Sequence, residues 1–172
     1  MTLTAVNSMA PRRPLPLAAN VVTASPPAAV TNAVGFLVNE VAALFRVRFE
    51  EVLAAHHLRR RQYLMLLVLR DEGPMPQQAL GQRLVMDRTT TMQLVQDLAD
   101  AGVVNRHDDP LDRRVYVLSL TASGRRLVAT LEGLIKRAEL ELLAPLSAEG
   151  RRTFAGQLRA ILAASAGAVE KP

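Results

Sequence analysis

The sequence has 172 residues, of which 49% are hydrophobic and 3% aromatic, as expected for one globular domain with a mainly aliphatic core. It contains no cysteine, which excludes disulfides, thiolate metal sites and cysteine-based redox sensing. The formal net charge of +5 favours anionic partners such as nucleic acid, although many basic proteins bind none.

The absence of long apolar runs and of cysteine guides the predictions of localisation and cofactors. No apolar run reaches the roughly 18 residues that a membrane helix needs, so we expect no membrane association. The cytoplasm is the expected compartment. No cofactor or metal is predicted, because His56, His57 and His107 have no cysteine beside them.

Residues 1–30 differ from the rest of the chain. They hold five of the ten prolines and no acidic residue, which predicts a disordered, proline-rich tail. This tail is either a passive extension or a basic arm that touches DNA through Arg12 and Arg13. Residues 31–172 are expected to form a single domain.

Apolar residues at three- and four-residue spacing predict the helices. The first extends from Thr31 to about His56, and the second from Leu58 to Glu72, before Gly73 and Pro74. A short third helix spans Pro76 to Leu84, with Pro76 in its first turn.

A fourth helix is predicted from Asp87, its N-cap, to about Ala101, with Gly102 as the terminating glycine. Four of its residues are expected to point inward: Thr91, Leu94, Val95 and Leu98. Two strands, 103–106 and 115–120, follow and are joined by the polar loop 107–114. Thr121 then caps a helix to about Leu143, and Ser147 caps a last helix to about Ala166.

This order of elements predicts a mainly α fold with a small β-hairpin: a winged helix-turn-helix domain with dimerisation helices at both ends. A helix of the length of 87–101 fits the major groove and presents its first turns to base edges. Its outward residues are the predicted DNA-binding residues: Arg88, Thr89, Thr90, Met92 and Gln93. Taken alone, these polar residues also suit a solvated helix start.

The hairpin tip carries the other predicted DNA contacts. Arg113 and Arg114 lie beside Asp112, and arginine is the residue usually inserted into the minor groove. We expect Arg113 to enter the groove while Asp112 pairs with Arg114 and stiffens the tip. The alternative is a solvated charge cluster in an exposed turn.

The net charge of the predicted recognition helix and hairpin is unfavourable for binding DNA. Residues 86–114 carry four arginines against six aspartates, a net charge of −2. Phosphate contacts must therefore come from neighbouring helices, with Arg59 and Arg83 as candidates. The same net charge favours the alternative function, a winged-helix adaptor that binds protein rather than DNA.

One stretch supports a named family. Asp112-Arg-Arg-Val-Tyr-Val-Leu-Ser-Leu-Thr-Ala-Ser-Gly124 resembles the wing motif D-x-R-x-x-x-L-x-L-T-x-x-G of the MarR family of multiple antibiotic resistance regulators. The residues from Asp87 to Leu98, and Gly102 to Arg106, resemble the family's recognition helix and first wing strand.

The resemblance implies a homodimeric transcriptional regulator, usually a repressor, that binds a pseudo-palindromic operator in double-stranded DNA. It implies that 31–57 and 122–168 form the dimerisation helices and 58–121 the DNA-binding lobe. It also implies that a small molecule releases the DNA from a cleft between these parts.

Candidate effector residues lie around the first helix–helix junction, where such a cleft is expected. They are Phe45, Phe49, His56, His57 and Tyr63, and they suit an aromatic or carboxylate ligand. The alternative is that they are ordinary core and rim residues. No enzyme is predicted, because no motif pairs a nucleophile with a base, pairs carboxylates, cradles phosphate or spaces metal ligands.

The terminal helices hold more apolar residues than one winged domain is expected to bury, which predicts a partner subunit. These residues are Val34, Leu37, Val41, Leu44, Leu127, Leu131, Leu134, Ile135, Leu158 and Ile161.

Overall fold

The structure is a computed structural model that describes Pro27, residues 31–108 and residues 115–169, with side chains described as far as Ser165. The chain divides into two compact units, residues 1–40 and residues 41–172. In the first unit, the Thr31 N–H donates to the Pro27 carbonyl at 3.1 Å, shortly before the first helix begins.

The described part of the chain forms six helices and three short strands. The helices are α1 (Val34–Ala54), α2 (Arg60–Asp71), α3 (Gln77–Arg83), α4 (Arg88–Asp100), α5 (Ala122–Leu142) and α6 (Ala148–Val169). The strands are β1 (Met75–Pro76), β2 (Val104–Asp108) and β3 (Tyr116–Leu120). The predicted mainly α winged fold is confirmed, and no described helix is long and apolar enough to cross a membrane.

The predicted helix caps are confirmed by hydrogen bonds. The side chains of Asp87, Thr121 and Ser147 accept from the backbone N–H three residues later, at 2.8, 2.9 and 3.1 Å. Each bond satisfies a donor that the helix itself leaves unpaired. Gly102 has a φ of +68°, in the left-handed region that ends many helices.

The sheet has one more strand than the sequence predicts. Its antiparallel order is β1-β3-β2, with Met75 opposite Leu118 and Val104 opposite Leu120. The expected two-stranded hairpin therefore gains an edge strand. The expectation that Pro76 starts the third helix is also wrong, because Pro76 ends β1 and precedes α3. Pro76 pairs with Val117 at this edge, where proline is tolerated.

The core lies between the sheet and helices α2 to α5, and Leu53 at the end of α1 also contributes to it. Its most deeply buried residues are Leu53, Met65, Leu66, Leu80, Leu98, Leu118, Leu131, Val95 and Val128. The prediction that Leu131 faces a partner subunit is wrong, because its side chain is fully buried within one chain. Val34, Leu37, Val41, Leu44 and Ile161 remain exposed, as predicted.

The turn between α3 and α4 contains a strained residue, Val85, whose φ is +51°. Branched side chains rarely adopt this left-handed conformation. The Val85 side chain is 92% exposed, so its removal costs little packing. We expect Val85→Gly to raise the free energy of unfolding by about 0.5–1 kcal/mol in urea denaturation.

Val85→Ala is the control for this prediction, because alanine keeps the Cβ atom and therefore most of the strain. It should gain clearly less than the glycine variant. A glycine variant that is no more stable than the unmodified protein would show that the turn is not strained.

Candidate DNA-binding surface

Helix α4 has one buried face and one exposed face. Thr91, Leu94, Val95 and Leu98 are buried, as predicted. Arg88, Thr89, Met92 and Gln93 are exposed, and Met92 keeps 50% of its surface in solvent. The helix is therefore fixed to the domain by one side while its first two turns present polar and thioether groups outward.

Thr90 differs from its neighbours because the helix cap engages its hydroxyl. Its Oγ1 donates to Oδ2 of Asp87 at 2.6 Å, and the residue is half-buried. The hydrogen bonds from the Thr90 side chain and backbone lower the pKa of Asp87, because they stabilise its ionised form. The Thr90 hydroxyl thus donates its hydrogen bond to Asp87, which leaves its oxygen as an acceptor and its methyl group for a base.

A cleft of about 390 Å³ lies beside the start of α4. It is lined by Gln77, Gln78, Gly81, Gln82, Met86, Arg88, Thr91, Val115 and Tyr116. None of these lining residues is acidic and Arg88 is cationic, so the lining itself carries no negative charge. Sequence reasoning missed its glutamines and Tyr116, whose placement depends on the unpredicted strand β1.

The strands beneath this cleft are held by an aromatic contact. The Arg106 guanidinium carbon lies 3.6 Å from the centre of the Tyr116 ring, a cation–π geometry. Arg106 and Tyr116 lie on the sheet face that also carries Leu118, because Arg106 pairs with Leu118 and Tyr116 with Asp108. This contact connects the two wing strands close to the tip.

The two arginines predicted outside the reading element have different surroundings. Arg83 ends α3 and donates from Nε to Glu72 at 2.8 Å, but its side chain remains 63% exposed. An ion pair this exposed is weak, so Arg83 can exchange Glu72 for a phosphate. Arg59 is exposed and precedes α2 directly. Asp112, Arg113 and Arg114 lie outside the described residues, so their roles stay predictions.

The five candidate effector residues fall into two clefts. Phe45, Phe49 and Tyr63 line a cleft of about 470 Å³, where the rings of Phe49 and Tyr63 meet edge to face at 5.7 Å. His56 and His57 line a different cleft. Within the described residues, no group of three His, Asp or Glu side chains could hold a metal ion.

The aromatic cleft also contains charges that sequence reasoning missed. Arg46, Arg48 and Arg60 line it, together with Glu139 from α5. Arg48 is engaged by Glu51 at 3.0 Å and by Glu141 at 3.5 Å. Arg46 and Arg60 form no ion pair with any residue that the structure describes. Burial and the nearby Glu132 raise the pKa of Tyr63, which therefore stays a neutral phenol.

Comparison with known proteins finds similarity to one family. A family model described as MarR family matches residues 57–115. The crystal structure of the PcaV transcriptional regulator from Streptomyces coelicolor is 28% identical and covers 77% of this chain and 97% of its own, with a TM-score of 0.63. Over residues 57–115 the chain is therefore similar to the MarR family.

Two relatives found by sequence comparison are named as transcriptional regulators. The HTH-type transcriptional regulator TtmR from Methylorubrum extorquens is 35% identical over 99 residues, or 58% of this chain and 51% of TtmR. The HTH-type transcriptional repressor NicR from Pseudomonas putida is 31% identical over 99 residues, or 58% of this chain and 63% of NicR. The chain thus spans about half to two thirds of these relatives, both of which are named as regulators.

Proposed function

We propose that this chain is a sequence-specific, DNA-binding transcriptional regulator, acting as a repressor. The observation that carries the proposal is the two-sided helix α4, buried along Thr91, Leu94, Val95 and Leu98 and open at Arg88, Thr89, Met92 and Gln93. Arginine and glutamine can form hydrogen bonds to guanine and adenine, and the methyl groups of threonine and methionine can contact that of thymine. The family relationship supports this reading, with residues 58–121 as the DNA-binding lobe.

The regulator is proposed to act as a homodimer through residues 31–57 and 122–168. Large apolar side chains on the terminal helices are exposed in the single chain: Val34, Leu37, Val38, Val41, Leu44, Val47, Leu140, Ile161 and Leu162. Apolar surface of this extent usually marks an interface. A two-fold dimer would match two half-sites about one turn of DNA apart.

The direct test of this function is selection from DNA fragments of the host genome by the purified protein. The proposal predicts that bound fragments share a pseudo-palindromic motif and that some lie in promoter regions. No shared motif among retained fragments would contradict sequence-specific binding, and it would favour the adaptor function.

The aromatic cleft is proposed to bind an effector that releases the DNA. Its rings suit an aromatic ligand, while Arg46 and Arg60 suit a carboxylate. We expect 4-hydroxybenzoate to raise the melting temperature, with a stabilisation of about 2.7 kcal/mol at a hundred times its Kd. Arg60→Ala should weaken binding roughly tenfold, because a charge-assisted hydrogen bond is lost.

Arg61 provides the matched control, because it is adjacent, exposed and absent from the cleft lining. Arg61→Ala should bind the ligand as the unmodified protein does. Equal losses in both variants would show that the ligand responds to overall charge rather than to this cleft.

A further inference from the structure

A chain of hydrogen bonds connects the exposed face of α4 to the backbone at the start of α2. Nε2 of Gln93 donates to Oδ1 of Asp97 at 2.9 Å, and Nε2 of Gln62 donates to Oδ2 of the same carboxylate at 3.4 Å. The other end of Gln62 accepts from the Arg59 backbone N–H at 2.9 Å. Gln62 is only 5% exposed, so its amide has little access to water as an alternative partner.

The chemistry of these groups fixes the direction of every bond. A backbone N–H can only donate, so Gln62 must turn its carbonyl oxygen toward Arg59 and its amino group toward Asp97. An ionised carboxylate can only accept. Gln93 must therefore turn its amino group toward Asp97, which leaves its carbonyl oxygen Oε1 and the second N–H of the amino group available to a base.

We propose that Asp97 is a positioning residue that makes Gln93 a hydrogen-bond acceptor toward DNA. This inference rests on the proposed DNA-binding function. In the major groove, adenine N6 and cytosine N4 donate, whereas adenine N7, guanine N7 and O6, and thymine O4 accept. A base that meets the fixed Oε1 of Gln93 must donate, which selects adenine or cytosine on the contacted strand.

The test is the nearly isosteric variant Asp97→Asn. The Arg59 N–H still fixes Gln62, so the introduced asparagine turns its oxygen toward Gln62 and its amino group toward Gln93. Gln93 must then reverse and present its own amino group to the DNA. We expect the preference at the contacted position to move from cytosine, which only donates, to guanine or thymine, which only accept, by roughly fivefold each way.

The same helix offers a matched control. Nε2 of Gln96 donates to Oδ1 of Asp100 at 2.8 Å, the same four-residue pairing without a connection to Gln62. Asp100→Asn removes an equal charge, so it should change overall affinity as Asp97→Asn does and leave base preference unchanged. Gln93→Ala identifies the contacted position, because preference there should be lost.

The measurement is selection from a randomised duplex library by each purified variant, followed by anisotropy titration of the four single-base duplexes. A preference that reverses in Asp97→Asn alone supports the inference. Selective binding with the same preference in Asp97→Asn overturns it and leaves the proposed function intact. An unmodified protein that selects no sequence overturns both.

Discussion

Gly124→Ala is expected to destabilise the protein by about 3 kcal/mol or more, or to prevent folding. A Cβ atom at this position would lie 2.0 Å from the Val103 carbonyl oxygen. The clash is with backbone, which cannot move aside as a side chain can, and that same oxygen accepts from the Thr121 N–H at 3.1 Å. The last glycine of the family motif is thus required by the packing of α5 against the start of the wing.

Gly133 is the matched control in the same helix, because a Cβ atom there would meet nothing within 4 Å. Gly133→Ala should stabilise the protein by about 0.5–1 kcal/mol, the difference in helix propensity. Urea denaturation of both variants measures these changes in the free energy of unfolding. A Gly124 variant as stable as the unmodified protein would show that α5 and the wing do not approach this closely.

Arg88→Ala is expected to weaken operator binding by about 1–3 kcal/mol while leaving the melting temperature within a few degrees of the original. Arg88 is exposed at the first position of α4 and lines the acid-free cleft. Its loss removes a donor at the reading end of the helix without disturbing the buried face.

Arg159→Ala is the control for charge, because Arg159 is also exposed but lies on α6. Anisotropy titrations at one fixed salt concentration should separate the two variants. Similar losses in both would mean that Arg88 contributes only net charge, and the assignment of α4 as the reading helix would fail.

Local chemistry made three of the helix starts predictable from sequence. Asp87, Thr121 and Ser147 cap their helices through residues only three positions away, so the sequence carries the whole motif. The inward positions of α4 were equally visible, because their spacing follows the helical repeat.

Features that depend on distant residues were not predictable. Strand β1 has two residues, too few for an alternating pattern, and exists because β3 lies beside it. The bond between Gln62 and Asp97 joins residues 35 positions apart. The separation of His56 and His57 from the aromatic cleft likewise follows from how α1 ends: His57 has a φ of +57°, and its N–H donates to the Ala54 carbonyl.

The central proposal is that this chain reads DNA sequence as a dimer. Fluorescence anisotropy of the purified protein against DNA from its own upstream region, with a scrambled duplex and a salt series, tests it most directly. The account predicts tight, selective binding by two subunits per site, weakening steeply as salt rises. Equally weak binding to the upstream DNA, to fragments selected from the genome and to the scrambled duplex would contradict it.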